Sequence, residues 1–215
     1  MAQDLTGLGE ASKAIVELYK ESGIKEIIKT LFGPAAKEFG SALGDIVKNW
    51  REENVYKILQ KAQKRMEEKQ ISGNDVDKKF LLKWTEEASF ESNESMQEKW
   101  ANLLISALAG VSIHPKYVET LRLLDVTDAN VLEIIRDYRK TNNRITNDEV
   151  IIKLKQKGID VPDEILRDSL SNLVTRDLCD VTTLQGKPTY NEMNVENIRI
   201  SHFGNKFLNI VNGES

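Results

Sequence analysis

Residues 88–115 carry an apolar stripe with helical spacing, and this stripe constrains the fold more than any other feature of the chain. Apolar residues recur every three or four positions, as on one side of a helix, while charged residues occupy the other side. The stripe consists of Met96, Trp100, Leu103, Leu104 and Ala107. Gly110 is well placed to end this helix, and Pro115 to begin another one. The segment therefore predicts a helix with one buried face and a second helix after it.

Helical spacing of apolar residues also runs through the rest of the first two thirds of the chain. It predicts helices over 12–31, over 34–69 and over a segment that begins near residue 75. Asn74 and Asp75 are both of a type that caps helices, so either can begin the last of these. Short connections between helices favour antiparallel packing. Residues 1–124 are therefore predicted to form a helical bundle.

The pattern changes near residue 125, where three shorter helices are predicted. Thr127 is expected to cap the first of them. Thr146 and Glu149 have the spacing of a capping box, which opens a second helix that ends at Gly158. Pro162 begins the third helix.

Residues typical of β-strands follow at 181–184 and 197–200, with a turn at 185–186 and a last helix after them. This order resembles that of winged-helix domains, as do the phrases RDLCDV and ISHFGNKFL. The predicted fold class is mainly α: an N-terminal helical bundle over 1–124, followed by a small winged-helix-like α+β module over 125–215.

The amino-acid composition indicates which class of protein the chain belongs to and in which cellular compartment we expect it. The 215 residues are 40% hydrophobic and 30% charged, which is typical of soluble globular proteins. A formal net charge of −4 gives no general attraction for polyanions. The single Cys179 excludes an internal disulfide, and the chain has neither a basic leader nor a run of about 20 apolar residues. We therefore expect a soluble, cytoplasmic protein.

The chain shows no recognisable catalytic signature. Its two histidines, His114 and His202, belong to no metal-binding or nucleophile motif. Its glycines are not followed by the lysine and hydroxyl residue of a phosphate-binding loop. The paired acids at 52–53, 67–68 and 86–87 are typical of solvated helix faces. We predict a non-enzymatic protein without catalytic residues, cofactor or metal.

Ala36, Gly40 and Gly44 are spaced by four and line one side of a predicted helix. Glycine inside a helix costs about 0.5–1 kcal/mol relative to alanine, so this stripe indicates that another helix approaches closely. That helix can belong to the same chain, or to a second copy, which makes the stripe a seam for self-association. The amphipathic segment 24–47 also leaves contact with a membrane surface open, although its charged residues argue against a spanning helix.

The tryptophans fall on apolar helical faces, so Trp50 and Trp100 are predicted to fill the core. Asn54 and Asn102 lie near the same faces and need hydrogen-bond partners if they are buried. We expect these two amides to set the register of one helix against another.

A basic cluster lies on the first two helices of the C-terminal module. Its members are Arg136, Arg139, Lys140, Arg144, Lys153, Lys155 and Lys157. Such a cluster can bind an acidic partner or nucleic acid. The third helix of the module, which reads DNA in winged-helix proteins, carries only Arg167 and Arg176 against four acids and offers little phosphate neutralisation. We therefore favour a protein partner over nucleic acid.

Two blocks of the chain resemble the Abi-alpha (abortive infection alpha) family. The first follows the pattern GPAA-x-E-x-G-x-x-x-G-D and then (W/Y)R-x-x-N-x-x-x-I-L-x-K-A, matched by Gly33, Pro34, Ala35, Ala36, Glu38, Gly40, Gly44, Asp45, Trp50, Arg51, Asn54, Ile58, Leu59, Lys61 and Ala62. The second pairs an acidic run with a WANLL helix and an HP step, matched by Glu87, Ala88, Ser89, Glu94, Gln97, Trp100, Ala101, Asn102, Leu103, Leu104, Ala107, His114 and Pro115. The resemblance covers about residues 30–125 and implies phage defence without implying a chemistry.

These observations lead to three hypotheses of function. The first is a phage-defence protein that acts through protein–protein contacts and forms a homo-oligomer. The second is a DNA-binding transcriptional regulator that uses the C-terminal module. The third is a membrane-perturbing effector that uses segment 24–47.

Overall fold

The computed structural model describes residues 50–71, 73, 76–140, 145–181 and 193–214. The chain divides into two compact units, Met1–Pro115 and Lys116–Ser215. The described part is mostly helical, with one small antiparallel sheet near the C-terminus. The predicted fold class, mainly α with a small α+β portion, is therefore confirmed.

Three described helices form the N-terminal unit: α1 (Trp50–Lys69), α2 (Lys78–Ala88) and α3 (Glu94–Leu108). α1 packs against both α2 and α3. Trp84 and Trp100 are fully buried between them, and the indole Nε1 of Trp84 donates a hydrogen bond of 3.0 Å to the carbonyl oxygen of Trp100. The burial of Trp100 confirms that the stripe in residues 88–115 faces a core.

The ends of these helices follow the expected chemistry with one correction. Asp77, rather than Asn74 or Asp75, caps α2 and accepts a hydrogen bond from the backbone N–H of Phe80 at 2.9 Å. A capping side chain must stand directly before the first helical residue, and α2 begins at Lys78. Gly110 follows α3 with φ of +88°, which confirms its predicted role as the stop.

The C-terminal unit contains five helices in its described part. They are α4 (Lys116–Arg122), α5 (Val126–Lys140), α6 (Asn147–Gln156), α7 (Asp163–Thr175) and α8 (His202–Val211). Strands β1 (Cys179–Val181) and β2 (Ile198–Ile200) lie between α7 and α8, and a short 3-10 turn, Val195–Asn197, precedes β2. α5 is central, because it packs against α6, α7, β2 and α8.

The two strands pair antiparallel, with Cys179 opposite Ile200 and Val181 opposite Ile198. The order of three helices, two strands and a last helix is the predicted one. β1 begins two residues before the predicted strand, because Cys179 is already buried and paired in the sheet.

The capping box of α6 is present as predicted. Thr146 Oγ1 accepts from the N–H of Glu149 at 3.3 Å, and the Glu149 carboxylate accepts from the N–H of Thr146 at 2.8 Å. Gly158 ends the helix region with φ of +78°. The predicted cap of α5 was wrong: Thr127 lies inside the helix, and Asp125 Oδ1 accepts from the N–H of Asp128 at 2.8 Å.

The start of α8 explains the ISHFGNKFL phrase in physical terms. The hydroxyl of Ser201 accepts from the N–H of Gly204 at 2.8 Å and donates to the carbonyl oxygen of Asp177 at 2.6 Å. The N–H of Ser201 donates to the carbonyl oxygen of Leu178 at 2.9 Å. A Cβ on Gly204 would lie 2.0 Å from that same carbonyl oxygen, so only glycine fits here.

The two compact units divide after Pro115, whereas the boundary predicted from the sequence lies after residue 124. α4 belongs to the second unit because Tyr117 packs against two aromatic rings of α8. The ring centroids of Tyr117 and Phe203 are 5.4 Å apart, and those of Tyr117 and Phe207 are 6.1 Å apart. In neither unit does a described helix have the length and apolar content needed to cross a membrane.

Candidate functional site

The polar residues of the first family-like block and those of the second meet where α1 contacts the turn after α2. Asn54 Nδ2 donates to the carbonyl oxygen of Ser89 at 3.0 Å, and both residues are buried. Arg51 Nε donates to the hydroxyl of Ser89 at 2.9 Å. The guanidinium of Arg51 also lies 3.9 Å from the ring centroid of Phe90. These contacts fix the start of α1 against the α2–α3 connection.

Further along, α1 and α3 are joined by ion pairs. Lys61 Nζ lies 2.6 Å from a carboxylate oxygen of Glu98 and 3.3 Å from one of Glu94. Arg65 pairs with Glu98 and also donates to the side-chain oxygen of Asn102. Partial burial lowers the pKa of Lys61, but the hydrogen bonds and charges of Glu98 and Glu94 outweigh it, so the net pKa is raised.

The connection between α2 and α3 is held by Glu91. Its backbone carbonyl accepts from Gln97 Nε2 at 2.9 Å, and its carboxylate accepts from the N–H of Asn93 at 2.8 Å. Burial raises the pKa of Glu91, while hydrogen bonds from Asn93, Ser92 and the Trp100 indole oppose that rise. The carboxylate therefore ties the turn to the core tryptophan.

A groove of about 860 Å³ opens beside these ion pairs, between α1 and α3. The described residues that line it are all polar or charged: Lys57, Gln60, Lys61, Lys64, Arg65, Glu68, Ser92, Glu94, Gln97 and Glu98. We call this feature the α1–α3 groove. Within the described part of the N-terminal unit, it is our candidate site.

Three of the four predicted motif-core residues can be placed by their side chains. Asn54, Trp100 and Asn102 all take part in contacts that hold α1, α2 and α3 together. Trp50 is the first residue of α1, and its side chain falls outside what the structure describes. Ala36, Gly40 and Gly44 lie outside the described residues as well.

Sequence reasoning missed the Lys61–Glu98–Arg65 link. A signal for it was present, because Lys57, Lys61 and Arg65 are spaced by four and so share one side of α1. Nothing in the sequence, however, indicates which acids of α3 would stand opposite them.

Two arginines of the predicted basic cluster turn inward. Arg136 is buried, and its two Nη atoms donate to the carboxylate of Glu214 at 3.0 and 2.9 Å. Arg139 Nη2 donates to the carbonyl oxygens of Glu196 at 3.2 Å and Ile198 at 2.8 Å. Both guanidinium groups therefore fasten α5 to the C-terminal end of the chain and to the sheet.

The lysines of the cluster each face a group of the protein itself. Lys140 lies 3.7 Å from Asp137, and Lys155 lies 3.3 Å from Asp160. Lys157 donates to Asn130 at 2.6 Å and pairs with Glu133 at 3.3 Å. Lys153 Nζ stands 5.1 Å from the ring centroid of Tyr138. Arg144 lies outside the described residues.

The outward side of α7 is acidic and apolar. Arg167 pairs with Asp163 at 2.5 Å, and Arg176 Nε donates to the side-chain oxygen of Asn172 at 3.3 Å. Glu164 and Asp168 are exposed, and Ile165 is 42% exposed between them. The side chains that this helix offers to a partner are therefore of the wrong charge for a phosphate backbone.

Among the described residues, the side chains with intrinsic reactivity differ in burial. Cys179 is buried, and burial together with the charge of Asp180 raises its pKa to about 12. His114 and His202 are exposed and belong to different units. No group of three or more His, Cys, Asp or Glu side chains that could hold a metal ion occurs among the described residues.

The chain matches the family model described as abortive infection alpha over residues 53–211. No curated protein and no solved structure gives a significant match. The matched range spans both units, so the C-terminal unit lies within the family region rather than being a separate addition after residue 125. The part of the first block from 33 to 51 lies before the matched range, while the link from Asn54 to Ser89 lies inside it. The match covers most of the chain, and the chain belongs to the abortive infection alpha family, whose name indicates a role in phage defence.

Proposed function

We propose that the chain acts in abortive infection as a non-enzymatic cytoplasmic protein, through protein–protein contacts and self-association. The proposal concerns the mode of action, since membership of the family already indicates the abortive-infection role. Its protein-binding part rests on the C-terminal unit, and its self-association part rests on the sequence.

One observation carries the protein-binding part: the described basic side chains of the cluster and of α7 contact groups of the chain itself. Arg136 and Arg139 hold the end of the chain and the sheet, and Arg167 is paired with Asp163. Non-specific nucleic-acid affinity depends on lysine and arginine side chains that neutralise phosphates. The exposed Ile165 and its acidic neighbours on α7 suit a protein surface better.

The reactive groups support a role without catalysis. A thiol with a pKa near 12 stays protonated at neutral pH, and the thiolate is the nucleophilic form. Cys179 is therefore a core residue, and its burial also denies a substrate access.

Self-association is supported by the spacing of Ala36, Gly40 and Gly44. Gly40→Leu would separate two closely packed helices and is expected to shift the protein towards monomer in light scattering. Gly40→Ala is the control, because alanine adds little volume and favours a helix. If Gly40→Leu assembles and protects cells like the parent, the stripe is not the self-association seam. If it only lowers the melting temperature, the stripe packs within one chain. A parent protein that is monomeric would overturn self-association itself.

The protein-binding part is tested by phage challenge of cells that express the chain. Ile165→Ser removes exposed apolar surface and is expected to restore plaque formation while leaving the melting temperature unchanged. Thr175→Ser, on an exposed position of the same helix, is the matched control and is expected to protect like the parent. If the Ile165→Ser variant protects cells fully, α7 is not part of the proposed protein contact.

The DNA-binding alternative has a clear signature. It requires nanomolar affinity for a specific sequence at physiological salt. We expect only weak binding without sequence preference. Tight binding to DNA upstream of the gene, abolished by Arg167→Glu with Arg176→Glu, would replace our proposal with the regulator hypothesis.

A further inference from the structure

The α1–α3 groove has the size of a small-molecule site but not the usual lining. Its volume of about 860 Å³ falls within the range of about 300–1,000 Å³ that is typical of ligand pockets. Such pockets are mostly apolar, whereas the described side chains around this groove are polar or charged. The groove therefore suits a ligand that has polar groups over most of its surface.

Three lysines and Arg65 line the groove from α1 against three glutamates, so four positive and three negative charges leave the lining a net charge of +1. Lys57, Lys61 and Lys64 stand at i, i+4 and i+7, so their ammonium groups follow one side of the helix. Their side chains are 50%, 20% and 78% exposed. The three groups are thus arranged as a row that a molecule with several negative charges can contact at once.

The acids that pair with this row are exposed, with one exception. Glu53 is 50% exposed and lies 2.6 Å from Lys57. Glu94 is 88% exposed and 3.3 Å from Lys61, and Glu68 is 60% exposed and 3.9 Å from Lys64. Exposed ion pairs of this kind contribute little free energy, so a ligand anion can replace them. Glu98 differs, because Arg65 also neutralises it, and it can stay in place when a ligand binds.

We propose that the α1–α3 groove binds a small, multiply phosphorylated and otherwise polar ligand. Phosphate oxygens would accept hydrogen bonds from the three lysines, in charge-assisted contacts. Gln60 and Ser92, which also line the groove, supply polar groups for hydroxyl or further phosphate oxygens. A nucleic acid fits less well, because the described lining contains no aromatic side chain on which a base could stack.

The test is calorimetric titration of the full chain with inorganic tripolyphosphate, with sodium chloride at matched ionic strength as the reference. We expect saturable binding of one tripolyphosphate per chain. Lys57→Gln with Lys64→Gln should weaken it by about tenfold, since each exposed ion pair contributes a few-fold. Lys61 is left unchanged because it also holds Glu98. Thermal melting of each variant confirms that it remains folded.

Lys79→Gln is the matched control, because Lys79 is an exposed lysine on α2 of the same unit and does not line the groove. It should bind tripolyphosphate like the parent. The proposal is overturned if no saturable binding occurs, or if Lys79→Gln weakens binding as much as the double variant. Tighter binding of a single-stranded oligonucleotide with three phosphates would also overturn it and identify the groove as a nucleic-acid contact.

Discussion

At the scale of single residues, Gly204 leaves no room for a side chain. An added Cβ would lie 2.0 Å from the carbonyl oxygen of Leu178, which is a backbone atom that cannot rotate away. Overpacking typically costs about 1–3 kcal/mol and occasionally more, so we expect Gly204→Ala to lower the free energy of unfolding by about 3 kcal/mol. Urea denaturation followed by circular dichroism measures this loss.

The variant Gly158→Ala measures the cost of backbone strain without crowding, and so serves as the control for Gly204→Ala. Gly158 has φ of +78° but no atom within 4 Å of an added Cβ. Only the left-handed backbone is then penalised, by about 1–2 kcal/mol. A Gly204→Ala variant that is as stable as Gly158→Ala would contradict the close approach of α8 to Leu178.

Asp128 is a buried carboxyl group that titrates with folding. Burial raises its pKa above the ordinary value, the charge of Asp125 adds to the rise, and hydrogen bonds from Asn172 and the Asp125 backbone oppose it. Because the folded state binds the proton more tightly than the unfolded state, the contribution of Asp128 to stability is greatest below the unfolded pKa of about 3.9 and is lost as pH rises through the folded pKa.

Asp128→Asn is therefore expected to gain stability relative to the parent as pH rises from about 4 towards neutrality. The amide oxygen can still accept the hydrogen bond that Asn172 donates at 2.8 Å. Melting temperatures of both proteins across this pH range provide the measurement. A constant difference between the two curves would show that the Asp128 pKa is the same in both states.

At the scale of helices, the buried amide of Asn54 is one of the contacts that hold α1 against the α2–α3 connection. Asn54→Ala removes the donor to the Ser89 carbonyl and leaves that buried oxygen without it. The cost of an unsatisfied buried group is about 1–3 kcal/mol, and we expect a loss of that size in urea denaturation.

Ser89→Ala is the matched control, since it keeps the backbone carbonyl that Asn54 contacts and removes only the hydroxyl. Its loss should be smaller, because the Arg51–hydroxyl bond is only partly buried. Equal losses in the two variants would show that the hydroxyl matters as much as the amide bond.

For the whole molecule, the position of α4 distinguishes two boundaries. A fragment of residues 116–215 retains the packing of Tyr117 against Phe203 and Phe207, whereas one of residues 125–215 lacks it. We expect the longer fragment to unfold cooperatively and to melt at a higher temperature than the shorter one, as differential scanning calorimetry would show. Identical melting would place the boundary after residue 124.

Much of the fold follows from local sequence patterns that do not depend on contacts with residues far along the chain. The Thr146–Glu149 capping box, the stops at Gly110 and Gly158, and the buried face around Trp100 are all present as predicted. Each depends on residues within about one helical turn, or on the period of a single helix, so the chemistry is complete in the sequence. The need of Asn54 for a partner was also predictable, because a buried amide must form hydrogen bonds.

Which residues these side chains contact depends on how the helices pack. The basic cluster looked continuous along the chain, yet Arg136 meets Glu214 and Arg139 meets the carbonyls beside β2, contacts that join residues far apart in sequence. The same holds for Lys61 with Glu98, for Tyr117 with Phe203, and for the contact that requires glycine at 204. The spacing of residues in the sequence shows which side chains share one face of a helix. Which residues stand opposite that face depends on the register between elements, and the packing of the whole unit sets that register.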